Sequence, residues 1–147
     1  KSANWSFDEE EGIFRPKELY EFLDRAAYEY GFDRKYVIAV GYSSGANIAG
    51  SLLYHYEKAL QGAILFRPMV PRKGIDVPKM RGMPIFISGG LKDTICPPDE
   101  TELLEHELLK AGANVEMFWG DWGHELENEE VEQASRWYKK QAWYIRK

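Results

Sequence analysis

Val37-Ile38-Ala39-Val40-Gly41-Tyr42-Ser43-Ser44-Gly45-Ala46-Asn47 is the stretch on which the reading of this chain turns. Val37–Val40 is an unbroken apolar run. Unbroken rather than alternating hydrophobicity marks a strand covered on both faces, as in parallel sheets. The run passes directly into G-x-S-x-G and then into a segment with Ile48, Ala49, Leu52, Leu53 and Tyr56 at helical spacing, which predicts a helix over 44–56. A serine on a tight turn between strand and helix is the arrangement that exposes a nucleophile, so Ser43 is the candidate. The helix start aims amide N–H groups at developing negative charge, which makes the backbone N–H of Ser44 a candidate oxyanion donor. The flanking glycines are expected to leave room for close backbone approach. An ordinary glycine–serine turn before a helix would carry the same letters, so the assignment depends on what other strand ends supply.

Downstream, Ala63–Phe66 reads as a second buried strand ended by Pro68, and residues 67–83, with three prolines and two glycines, as a long loop. Ile85–Ile87 is a third strand closed by Gly89-Gly90. A helix over 99–111 follows, with Asp99 as its cap, Leu104, Leu108 and Ala111 inward, and Gly112 at its end. Val115–Trp119 is a fourth strand. The last helix is expected over 127–145. Glu127, Glu129, Glu130 and Glu132 crowd its start and Arg136, Lys139, Lys140 and Arg146 its end, as the helix dipole favours, and the acidic run reads as a solvated helix start. Upstream, Pro16 opens a helix over 16–30 with Leu19, Phe22, Leu23, Ala26, Ala27 and Tyr30 at helical spacing and Gly31 as its stop; residues 1–14 read as an irregular entry segment. Helices alternating with buried strands predict one α/β domain over 1–147, a three-layer α/β/α sandwich on a mostly parallel sheet.

In such sheets ligands bind beyond the carboxyl ends of the strands. The third strand ends at Gly89-Gly90-Leu91-Lys92-Asp93, and the fourth is followed by Gly120-Asp121-Trp122-Gly123-His124. A carboxylate at such a position can orient an imidazole, and glycines around a histidine suit a loop that presents it. Ser43, Asp93 and His124 thus stand at three strand ends in the chain order of an α/β-hydrolase triad. Asp121 is a weaker rival to Asp93, being too near His124 in sequence to orient it. His55 and His106 lie within helices and read as structural. Cys96 reads as a wall or buried residue. Tyr42, Met69, Ile95 and Trp122 flank the strand ends and are candidates for an apolar substrate pocket.

The composition excludes other classes. Of 147 residues 44% are apolar and the net charge is −5, which suits a globular core and disfavours nucleic-acid binding. The local basic cluster Arg72, Lys73, Lys79 and Arg81 reads as a solvated loop. One cysteine and three histidines without ligand spacing argue against a disulfide framework and a metal site. No apolar run approaches the roughly 20 residues of a membrane span. The expected location is the cytoplasm.

The stretches Gly41–Asn47, Arg67-Pro68-Met69-Val70-Pro71, Gly90–Asp93 with Pro97, and Gly123-His124 make the sequence resemble the phospholipase/carboxylesterase family of α/β-hydrolases, especially small bacterial carboxylesterases. The resemblance spans most of the chain from about residue 15 onward. It implies Ser43 as nucleophile, Asp93 as orienter and His124 as general base and acid. It also implies cofactor-free hydrolysis of carboxylic esters, sometimes thioesters or lysophospholipids. A thioesterase or peptidase on the same scaffold and a non-catalytic hydrolase-like chain are the rivals. The family carries earlier strands and a His-Gly type motif that supplies the second oxyanion N–H, and no such motif occurs before residue 41. The chain is therefore expected to correspond to the C-terminal two-thirds or so of the fold. Its elbow strand should lie at a sheet edge, open to a second copy or to an upstream segment.

Overall fold

The computed structural model describes residues 16–141, Arg72 excepted. The entry segment 1–14, Arg72 of the basic cluster and the end of the expected last helix lie outside the described residues. Among the described residues four α-helices and four strands follow in the order α1 (Pro16–Tyr30), β1 (Ile38–Tyr42), α2 (Ser44–His55), β2 (Gly62–Phe66), β3 (Pro84–Gly90), α3 (Pro98–Lys110), β4 (Asn114–Gly120) and α4 (Asn128–Lys140), with a loop and no helix between β2 and β3. The strands pair in the order β1-β2-β3-β4, all parallel.

Strand periodicity sorts the side chains into two cores. Ala63, Leu65, Ile85 and Ile87 face α2 and α3, packing with Leu52, Leu53, Leu104 and Leu108, while Leu19 and Leu23 of α1 close that layer from outside. Ile64, Phe66 and Phe86 face the other way, onto Ala134 and Trp137 of α4. The expected three layers are present, and β2 and β3, covered on both faces, are buried at every position.

β1 differs from its expectation of full burial. Among the described residues it is an edge strand, as expected of the elbow strand, and at that open edge Val40 is 65% exposed. Several details of the helices also differ. α3 is capped by Pro97, not Asp99, because the two prolines fix the helical entry; Asp99 sits inside the first turn. α1 rests on α2 through a narrow stripe, so Phe22 and Tyr30 lie at its outer side. α4 ends at Lys140, where Gln141 turns extended; its last inward residues are Ala134 and Trp137. The loop 67–83 is confirmed, with Lys73 paired to Glu100 at 2.7 Å and Lys79 and Arg81 exposed.

Candidate active site

The ends of β1, β3 and β4 converge. Ser43 Oγ lies 2.8 Å from His124 Nε2, and His124 Nδ1 lies 2.8 Å from Asp93 Oδ2. Ser43 has φ 58° and ψ −116°, a strained conformation for a residue with a side chain. It follows from closing a strand directly into a helix: Ser43 N–H donates to Phe66 O at 2.8 Å while its own carbonyl starts α2 by accepting from Asn47 N–H at 3.0 Å. The strain leaves Oγ projecting above the sheet. Ser44, the first residue of α2, has an N–H with no partner inside the helix, beside Oγ at the positive end of the dipole.

Only one elbow glycine is required by contact. A Cβ on Gly41 would stand 2.5 Å from the Gly45 backbone, whereas one on Gly45 would meet nothing within 4 Å among the described residues. The close approach expected of both glycines is thus made at Gly41, where α2 folds back over the strand.

Asp93 is buried, and its Oδ1 accepts N–H bonds from Ile95 and Cys96, both at 2.9 Å. Burial pushes the carboxyl up. The hydrogen bonds from Cys96 N–H, the His124 ring and Ile95 N–H outweigh it and hold the carboxyl below its usual range. Asp121, the rival acid, is exposed and pairs with Lys92 at 3.5 Å. His55 binds Ser51 O within its helix and His106 is exposed on α3, as expected for residues outside the site. Burial, then the nearby Asp93, push the Cys96 thiol up to about 11, so it is a protonated wall of the site. Asp93, Cys96 and His124 offer ligand atoms within 4.8 Å of one another. An ion there would compete for the oxygen and nitrogen that already bond each other.

Gly90 shows why the two loops meet. A Cβ there would stand 2.5 Å from Trp122 O and overlap Gly123 O, and the same loops are laced by Leu91 N–H to Gly120 O and Lys92 N–H to Trp122 O, each 2.9 Å. Gly90→Ala must therefore push the His124 loop away from Asp93. A shift near 1 Å costs roughly 100-fold in kcat, and steady-state kinetics with a thermal melt on that variant will show a loss of this order and a lowered Tm.

The four apolar candidates separate. Met69 lines a cavity of about 220 Å³ beside the elbow, together with Ser44, Asn47, Ile48, Val70 and Pro71. Tyr42 places its ring 5.5 Å from the His124 ring and donates its hydroxyl to His124 O at 2.9 Å. Ile95 is exposed at the rim. Trp122 packs against Phe118 and over the Arg67 guanidinium, as a support of the loop.

Two residues next to Ser43, Asp93 and His124 were not legible as such. Arg67, at the end of β2 with φ 58°, is fully buried and bonds Glu130, Ser88 Oγ and the His124 loop. Glu130, read from sequence as part of a solvated acidic run, is fully buried; it completes the α4 capping box by accepting from Glu127 N–H at 2.7 Å and also receives Ser88 Oγ–H. Its burial is balanced by Arg67, and removing one member of such a pair costs roughly 3–5 kcal/mol. The available signal for Arg67 was a single cation between a buried strand and a proline.

The dienelactone hydrolase family model matches residues 17–145. The chain belongs to the dienelactone hydrolase family. A Bacillus cereus carboxylesterase has 55% identity and a TM-score of 0.87, over 91% of this chain and 63% of that one. The "Putative hydrolase MhqD" of Bacillus subtilis (strain 168) is 50% identical over 133 residues, which is 90% of this chain and 66% of MhqD. A Mesorhizobium loti carboxylesterase at 22% identity and a TM-score of 0.81, over 93% of this chain and 68% of that one, shares the fold. The chain thus spans just under two thirds of the first two relatives. These neighbours bear out the α/β-hydrolase architecture of carboxylesterase type. No described helix is long and apolar enough to cross a membrane.

Proposed function

We propose that this dienelactone hydrolase family member is a carboxylesterase-type serine hydrolase that works through Ser43, His124 and Asp93. The observation that carries the reading is the pair of 2.8 Å contacts through the two nitrogens of His124. With Nδ1–H donating to Asp93, Nε2 is left to accept the Ser43 proton as Oγ attacks the ester carbonyl. The Ser44 N–H faces the oxyanion that forms. His124 then protonates the departing alcohol, and a water activated by the same imidazole hydrolyses the acyl-enzyme. The cavity beside Ser44 supports a small acyl or alkyl group as its occupant. The partners of this reading are a small-molecule ester and, at the open edge of β1, a strand of a second copy or of upstream sequence. No cofactor enters the chemistry, and the cytoplasm is the proposed location.

A fluorophosphonate probe tests the proposal: it should attach to Ser43, located by mass spectrometry of the labelled peptide, and short p-nitrophenyl esters should be turned over. Absence of both would overturn it. The pH profile has a defined sign. Asp93 has a depressed carboxyl, so its contribution to stability is present above the ordinary carboxylate range and is lost as pH falls through the lowered value. Thermal melts should therefore show Tm falling as pH drops below the ordinary carboxylate range, and a Tm unchanged there would count against the bonds drawn for Asp93.

A further inference from the structure

We propose that Arg67 is the positioning residue that holds the His124 loop in register with Asp93 and Ser43, an inference that rests on the triad reading above. Four successive carbonyls of that loop, from Trp122 to Glu125, each accept a hydrogen bond from outside it. Trp122 O takes the Lys92 N–H at 2.9 Å, Gly123 O takes Arg67 Nε at 3.0 Å, His124 O takes the Tyr42 hydroxyl at 2.9 Å, and Glu125 O takes Arg67 Nη2 at 2.8 Å. One guanidinium therefore grips the chain on both sides of the residue that bears the imidazole.

Its planar fork suits the task, because the directions of its N–H groups are fixed relative to one another. The fork is itself immobilised. Nη1 binds the buried Glu130 carboxylate and lies 3.3 Å from Ser88 Oγ, and the Trp122 ring lies 5.5 Å from the guanidinium carbon. The same Nε stands 3.8 Å from Asp93 Oδ2, so a single cation faces both the loop of the base and its orienting carboxylate. Arg67 reaches this position from the left-handed backbone region, at φ 58°, a conformation that persists in a side-chain-bearing residue when its surroundings over-determine it.

Lysine separates positioning from charge. An ammonium can keep the pairing with Glu130, but it is a point and cannot bracket His124 with two donors in a rigid fork. Arg67→Lys in the 147-residue chain should therefore lower kcat roughly 10- to 100-fold while KM stays within about threefold. The rate of fluorophosphonate labelling of Ser43 should fall in step. In proton NMR the downfield His124 Nδ1–H resonance, held by Asp93 in the unsubstituted chain, should broaden or vanish while thermal unfolding remains cooperative. The double variant Arg67→Met with Glu130→Gln removes both charges together and should give the same pattern. If either folded variant keeps both kcat and the resonance, the proposal is overturned. Loss of cooperative folding in both variants would assign Arg67 to folding alone and overturn it equally. If Ser43 of the unsubstituted chain fails to label, yet the resonance is present and lost in Arg67→Lys, the esterase reading falls and the positioning role stands. Absence of the resonance from the unsubstituted chain overturns the positioning proposal.

Discussion

Ser43→Ala should reduce ester turnover by on the order of 10⁶-fold and abolish fluorophosphonate labelling. The size of the effect follows from the role of Oγ as the bonding atom: no other described hydroxyl lies within hydrogen-bond reach of His124 Nε2. His124→Ala should cost about as much, and the double variant little more than either, because the two side chains act as one unit. The substitution should leave the fold intact. Ser43 Oγ bonds only the His124 ring, and the strained turn is held by backbone bonds to Phe66 and Asn47. Relief of strain is limited, since alanine also carries a Cβ at φ 58°. Parallel measurement of turnover and thermal stability checks both halves. A variant that retains more than a thousandth of the activity would remove Ser43 from the nucleophile's place.

Asp93→Asn should cost roughly 10⁴-fold in kcat with little change in overall structure. The carboxylate divides its two oxygens: Oδ1 accepts the N–H groups of Ile95 and Cys96, and Oδ2 accepts from His124 Nδ1. An asparagine keeping its carbonyl oxygen on the two backbone donors must turn its NH₂ toward the imidazole. That favours the tautomer with Nδ1 as acceptor and the proton on Nε2, where it can no longer take one from Ser43. Asp121→Asn is the matched control. Its carboxylate is exposed and faces Lys92, so turnover should stay near that of the unsubstituted chain. The reverse ranking of the two variants would make Asp121 the acid. Comparison of kcat for the pair on one ester decides it.

The candidate triad was legible because each member stands just beyond an apolar run, at a place where parallel topology gathers strand ends. Ser43, Asp93 and His124 are separated by 50 and 31 positions, yet each separation is one or more complete strand-to-strand returns. Glycine and proline punctuation marked those ends, and the apolar runs over 63–66 and 85–87 carried enough hydrophobicity to declare burial on both faces. The pocket candidates were less legible. Tyr42, Met69, Ile95 and Trp122 have similar apolar character and similar proximity to strand ends. What separates them is the direction each side chain takes from its turn, which no local pattern records.

The buried charges were least legible. Glu130 sits in an acidic run at a helix start, and its neighbours Glu129 and Glu132 are exposed as that pattern suggests. Arg67 looks like any cation at a loop entrance. Their burial depends on partners 21 to 63 residues away, Ser88 among them, and on a cavity that exists only when β2, β3 and the start of α4 have closed around it.

By itself, then, the amino-acid sequence determined the order of helices and strands, the parallel sheet and the three side chains at its strand ends, because these are dictated by hydrophobic period and turn chemistry within some ten residues. Only the tertiary structure decided how far Val40 is exposed at the expected edge, that Gly41 and Gly90 are the glycines contact requires, and that Arg67 and Glu130 are interior. Those properties belong to the space between elements, where desolvation and the pairing of opposite charges are set by whichever distant groups the completed fold brings alongside.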